Sequence, residues 1–178
     1  AGSTLAEGRS LLVVGFDPVA EPAKLREFEA RFRPATGTPI LGPWNGRLAN
    51  DRDTVRLQRL ASLLPEDSTN IYFVDVDTVA YQSSAPWPVE AALSGKALLR
   101  RTPSPTDNLT RDWGSDPASW VAGWPTPGHG DRDLDGLPDS WEAEWHLDPN
   151  DPSGSVGTDG DPDADGFTNR MEFVNRTD

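Results

Sequence analysis

Two stretches of the chain set carboxylates at the spacing a hard cation requires. Asp131, Asp133, Asp135, Gly136, Leu137, Asp139 and Glu142 fill positions 1, 3, 5, 6, 7, 9 and 12 of one loop. Asp161, Asp163, Asp165, Gly166, Phe167, Asn169 and Glu172 repeat that order in a second. Both fit the pattern D-x-[DN]-x-[DN]-G-x5-E. A calcium ion takes about 6–8 oxygen ligands in a flexible shell, and such loops supply them.

The chemistry assigns each position a task. Carboxylates at positions 1, 3 and 5 converge because glycine at position 6 permits a sharp turn. Leu137 and Phe167 donate backbone carbonyls, so their side chains are free to pack. Asp139 and Asn169 ligate directly or through water, and Glu142 and Glu172 close each shell bidentately. Each glutamate also falls on the first turns of the following helix, so an ion clamps helix to loop. The expectation is two calcium ions. Solvated acidic turns are the alternative, but two full loops that both end in Glu weigh against it. Without metal the crowded carboxylates repel, and the segment is expected to be largely disordered, with binding energy doubling as folding energy.

The elements that must position these loops are short. Residues 137–146 and 167–175 read as the helices after each loop, with Trp141, Trp145, Met171 and Phe173 as their shared core. Upstream, the apolar run 11–14 reads as a buried strand and 21–32 as an amphipathic helix opened by Pro22. Residues 37–53, rich in Gly, Pro and Asn, read as loop. Residues 54–60, 70–81 and 97–101 read as strands, and 115–118 as a helical turn. Short strands between such turns suggest a sandwich or barrel. Residues 126–130 read as a linker.

Charge divides the chain along the same line. The 178 residues carry a net charge of −13, with no cysteine. Residues 131–178 hold 14 acids and 3 bases, and residues 1–130 hold 15 and 13. Nucleic-acid binders need basic patches, which this acidity excludes as a reading. Disulfides and thiolate chemistry are absent. The run 11–14 is too short for a membrane span or a signal-peptide core.

The C-terminal segment resembles the thrombospondin type 3-like and dockerin-like paired EF-hand repeats of secreted bacterial proteins. Leu137, Pro138, Trp141 and Glu142, followed by Leu147, Asp148 and Pro149, carry that resemblance. Dockerin loops usually end in Asp, so Glu142 and Glu172 weigh against cohesin binding. Residues 1–125 resemble the bacterial lamin-tail domain, an immunoglobulin-like β-sandwich. The matching pieces are Leu5, Gly8 and Leu12 to Val14; Leu41, Trp44, Gly46 and Asn50; Ala85 to Pro88; and Asp116, Trp120, Pro125 and Pro127. That family's opening strand motifs do not occur here. The resemblance therefore implies a sandwich lacking its first strands, with an exposed edge or apolar face unless a partner or a second copy covers it.

Other constellations carry less. Trp44 and Trp87, beside prolines in loops, invite a carbohydrate-binding reading, against core or loop-anchor roles. Asp75 and Asp77 share a strand face without a partner acid for glycoside chemistry. His129 and His146 with Ser140 or Ser153 lack a nucleophile-elbow sequence, and His146 suits a helix C-terminus. Arg47, Arg52, Arg56 and Arg59 form only a patch. Asn108–Thr110 and Asn175–Thr177 are sequons, meaningful only in a glycosylating host.

The reading is a mainly β chain: an immunoglobulin-like sandwich over 1–125, a linker over 126–130 and a small helical calcium-loop module over 131–178. It is expected to be a non-enzymatic structural or interaction part of a larger extracellular or cell-surface protein. The alternatives are a dockerin-like docking module and an accessory, carbohydrate-binding region of a secreted enzyme.

Overall fold

The computed structural model describes residues 9–61, 72–92, 95–101 and 114–177. The expectations that rest on Leu5 and Gly8, on residues 70 and 71, and on the Asn108 sequon lie outside these residues. The chain forms two compact units: Ala1–Arg47 with Gly123–Asp178, and Leu48–Ala122.

In the first unit, β1 (Leu12–Val13) lies parallel to β2 (Ile40–Leu41), with Leu12 opposite Ile40. The Val14 N–H bonds the Leu41 carbonyl (2.8 Å), and the Trp44 N–H bonds that of Val14 (2.8 Å). Helix α1 (Pro22–Phe32) joins the two strands. Proline suits its first turn, where an N–H would lack a partner anyway. Its apolar face brings Phe28 to 5.1 Å from Phe32 and 6.2 Å from Phe16. It ends at Arg33, whose φ of 46° lets its N–H return to the Glu29 carbonyl (3.0 Å). The 126–130 segment is tied down here: the Ala35 N–H bonds the Pro127 carbonyl (3.1 Å), and His129 Nε2 donates to that of Arg33 (2.8 Å).

The second unit centres on an antiparallel pair, β3 (Arg52–Leu60) and β4 (Phe73–Gln82). The register shifts between Leu57 and Gln58, which face Asp77 and Asp75. Such a bulge re-aims the side chains beyond it. Strands β5 (Ala97–Arg100) and β6 (Trp120–Gly123) form the third sheet. Asp116 opens the 3-10 turn Pro117–Ser119 before β6 by accepting from the Ala118 N–H (3.0 Å).

Among the described residues the strands thus make three separate two-stranded sheets, and no sandwich is shown. Apolar side chains of the β3–β4 pair stay outside, with Leu57 62% and Phe73 59% exposed. Contiguous exposed apolar surface marks places suited to a partner. The buried apolar side chains among the described residues are Val14, Trp87, Leu137 and Pro138.

Helices α2 (Asp139–Glu144) and α3 (Asn169–Asn175) follow the two acidic loops, each two residues shorter at its start than the expected helix. The isolated cap of α3 explains its boundary: Thr168 Oγ1 accepts from the Met171 N–H (3.3 Å).

Candidate metal centre

Each acidic loop is shaped by its own backbone. Leu134 and Ala164, at position 4, have φ values of 62° and 61°. Gly136 and Gly166, at position 6, have φ of 99° and 95°, where only glycine is at ease. In the first loop Asp131 accepts from the Gly136 N–H (3.2 Å), Asp133 from Asp135 (3.2 Å) and Asp135 from Leu137 (2.8 Å). In the second, Asp161 accepts from Gly166 (3.0 Å), Asp163 from Asp165 (3.2 Å) and Asp165 from Phe167 (2.8 Å). The position-9 N–H closes each loop on the residue before it, Asp139 on Gly130 (3.0 Å) and Asn169 on Gly160 (2.7 Å). The two loops therefore share one backbone plan.

That plan gathers the acids. Asp131, Asp133 and Asp135 bring carboxylate oxygens within 4.8 Å of one another, and so do Asp161, Asp163 and Asp165. Oxygens sharing one calcium-sized cation at ~2.3–2.6 Å sit at most about 5 Å apart. Both triads could hold metal ions.

The first site is the enclosed one. Asp135, Gly136, Leu137 and Pro138 are buried, and Glu142 is 0% exposed. Asp131 Oδ1, Asp133 Oδ2, Asp135 Oδ2 and both Glu142 carboxylate oxygens are buried without a hydrogen-bond partner. Buried carboxylate oxygens left unpaired are costly. A cation held among the three aspartates removes that cost for them, while Glu142 feels their charges but stands outside the group of oxygens within 4.8 Å. The same crowding shifts the carboxyl groups. Burial, then the charges of Asp133 and Asp135, push Glu142 up to about 8. Burial, then the neighbouring aspartates, push Asp131 up to about 6. Burial also raises Asp135 to about 6, against the bond from the Leu137 N–H.

The second site is more open. Asp163 and Asp165 are exposed and Asp161 half-buried, while Asn169 and Glu172 are buried. The position-9 side chains also serve locally. Asp139 accepts from the Arg132 N–H (2.9 Å) and pairs with its guanidinium (3.2 Å). The Asn169 amide donates to the Ser155 (3.0 Å) and Gly157 (2.7 Å) carbonyls, so its oxygen is the atom left for a ligand role. Leu137 is 0% exposed, whereas the Phe167 side chain is exposed.

The second loop's helix touches the first site. The Arg170 guanidinium lies over the Trp124 ring at 3.9 Å, and its charge favours the Asp135 carboxylate. The Arg170 N–H bonds the Thr158 carbonyl (3.1 Å), while the Thr158 backbone bonds Asp135. A Cβ on Gly136 would sit 2.5 Å from that of Trp124. Neither Trp124, Thr158 nor Arg170 stands out in the sequence, because their roles come from contacts across the chain.

The expected helix–helix core is half right. Trp141 packs edge-on against Phe173 (5.8 Å), but Trp145 and Met171 are exposed. With α2 only six residues long, it offers a narrow face. The other constellations also resolve. Trp87 is buried at 4% exposure and packs 6.1 Å from Trp120, so it is unavailable to a sugar. Asp77 pairs with Arg100 (2.5 Å) and Asp75 accepts from Gln58 Nε2 (2.7 Å). His146, just past α2, has a φ of 61°.

The fold and site together define a small mixed protein with two repeated acidic loops that could hold metal. No family model matches the chain, and neither curated proteins nor solved structures give a match. The small sheets and acidic loops agree with the resemblances read from the sequence in outline only.

Proposed function

We propose that the chain is a non-enzymatic, calcium-binding structural or interaction module of a larger extracellular or cell-surface protein. Each loop takes one calcium ion through Asp131, Asp133, Asp135, the Leu137 carbonyl, Asp139 and Glu142, or through Asp161, Asp163, Asp165, the Phe167 carbonyl, Asn169 and Glu172. The observation that carries this reading is the set of buried, unpartnered oxygens around the first loop, above all those of Glu142. Calcium supplies charge neutralisation there and ties α2 and α3 to their loops. Extracellular modules work at Kd of about 10⁻⁴–10⁻³ M, so the ions stiffen constitutively and do not signal. The exposed apolar face of β3–β4 supports the proposal that a partner or a second copy completes a sandwich there.

A second reading, a protein-docking module, is favoured by the exposure of Phe167, Met171 and Val174 around α3. The test of the main reading is a calcium titration followed by Trp141 and Trp145 fluorescence, with chelator reversal. A saturable, reversible change weakened in Glu142→Gln and Glu172→Gln is expected. A flat titration, or variants that behave like the parent, removes the reading.

A further inference from the structure

The first unit carries a large cleft that the metal reading does not use. Its volume is about 850 Å³, within the roughly 300–1,000 Å³ of ordinary small-molecule sites. Trp141, Trp145 and Phe173 line it. The Trp141 ring lies 6.3 Å from Trp145 and 5.8 Å from Phe173, and Trp145 is 41% exposed. The charged lining is Glu29, Arg33, Glu144 and Arg176. None of these four forms an ion pair among the described residues.

Those four formal charges sum to zero, so a ligand that meets all of them needs no net charge. A guanidinium only donates hydrogen bonds and a carboxylate only accepts them. A neutral ligand that satisfies both carries groups able to do either, as hydroxyls can. Aromatic faces in turn call for apolar ligand surface. A sugar ring offers hydroxyls around its rim and C–H bonds on its faces. We propose that this cleft binds a neutral oligosaccharide, with Trp145 as the stacking platform and Glu144, Glu29 and Arg176 bonding ring hydroxyls. Arg33 braces the wall, since its guanidinium donates to the Phe173 carbonyl and sits 5.4 Å from that ring. This places sugar recognition away from the buried Trp87, on rings carried by the elements that follow the acidic loops.

The proposal goes beyond the metal reading, and its test keeps the two apart. The whole chain, in saturating calcium, is titrated calorimetrically with cello-, xylo-, manno- and chitohexaose, and with a galacturonate hexamer as the charged comparison. At least one neutral hexamer is expected to bind. Trp145→Ala and Glu144→Gln should each weaken it by about ten-fold or more, the loss of one stacked ring or one charge-assisted bond. Trp145→Phe, which keeps a ring, should retain most of the binding. Calcium stoichiometry is measured on the same samples. Sugar binding without calcium binding contradicts the metal reading and leaves this one standing. No neutral binding, a preference for the galacturonate, or full binding in both Trp145→Ala and Glu144→Gln overturns the proposal.

Discussion

Calcium affinity at the first loop should depend steeply on pH, because the folded loop holds protons that the ion must displace. Glu142 is pushed up to about 8, and Asp131 and Asp135 to about 6, by burial and mutual repulsion. An ion that needs all three ionised releases about one proton at pH 7 and about two at pH 6. Between pH 6 and pH 8 the apparent Kd should tighten roughly 200-fold, roughly 50-fold from Glu142 and roughly four-fold from the two aspartates. Calorimetry on Glu172→Gln, which weakens the second loop, isolates the first. Repeating it at pH 7 in buffers of different ionisation enthalpy counts the proton directly. In Glu142→Gln the tightening should shrink to roughly four-fold, with weaker binding throughout. An affinity that is flat across this range, or a slope that Glu142→Gln leaves intact, would falsify the idea that Glu142 is a buried ligand.

The same shifts set the stability of the chelated protein with the opposite sense. Folded-state values raised above the unfolded ones confer stability that is present below about pH 4 and lost as pH rises through about 6 and then about 8. Thermal melts in chelator should therefore fall from pH 5 to pH 8.5, and a rising Tm contradicts the assignment. Gly136→Ala should cost about 1–3 kcal/mol, from a positive φ plus a clash with Trp124, while Gly166→Ala meets open space and should cost only the backbone strain of about 1 kcal/mol. Denaturant midpoints in calcium compare them, and equal losses would remove the Trp124 contact from the account. Arg170→Ala should destabilise the calcium-loaded protein by ~1–2 kcal/mol through the lost stacking on Trp124; an unchanged midpoint refutes that contribution.

The loops were legible because their information is local. Alternating aspartates and a glycine at position 6 fix both the acidic triad and the turn within a dozen residues. The left-handed Leu134 and Ala164 follow the same plan yet leave no mark, since neither residue type favours that conformation. Strands β3 and β4 and helix α1 were legible from alternation and from the spacing of Leu25, Phe28 and Phe32. The bulge at Leu57 and Gln58 was not, because the residue types on either side of it are ordinary. Long-range packing stayed hidden. Nothing in the sequence says that Ala35 and Arg33 bond Pro127 and His129, or that Arg170 crosses to Trp124. Exposure was legible only in part: Trp87 is buried against Trp120, as its core or loop-anchor reading has it, while Trp145 on the expected core is open.

Native mass spectrometry across a calcium series tests the central claim most directly. The parent chain should gain two calcium ions, Glu142→Gln and Glu172→Gln should each lose one preferentially, and a chelator should remove both. A chain that stays metal-free at millimolar calcium, or variants that keep both ions as tightly as the parent, would contradict it.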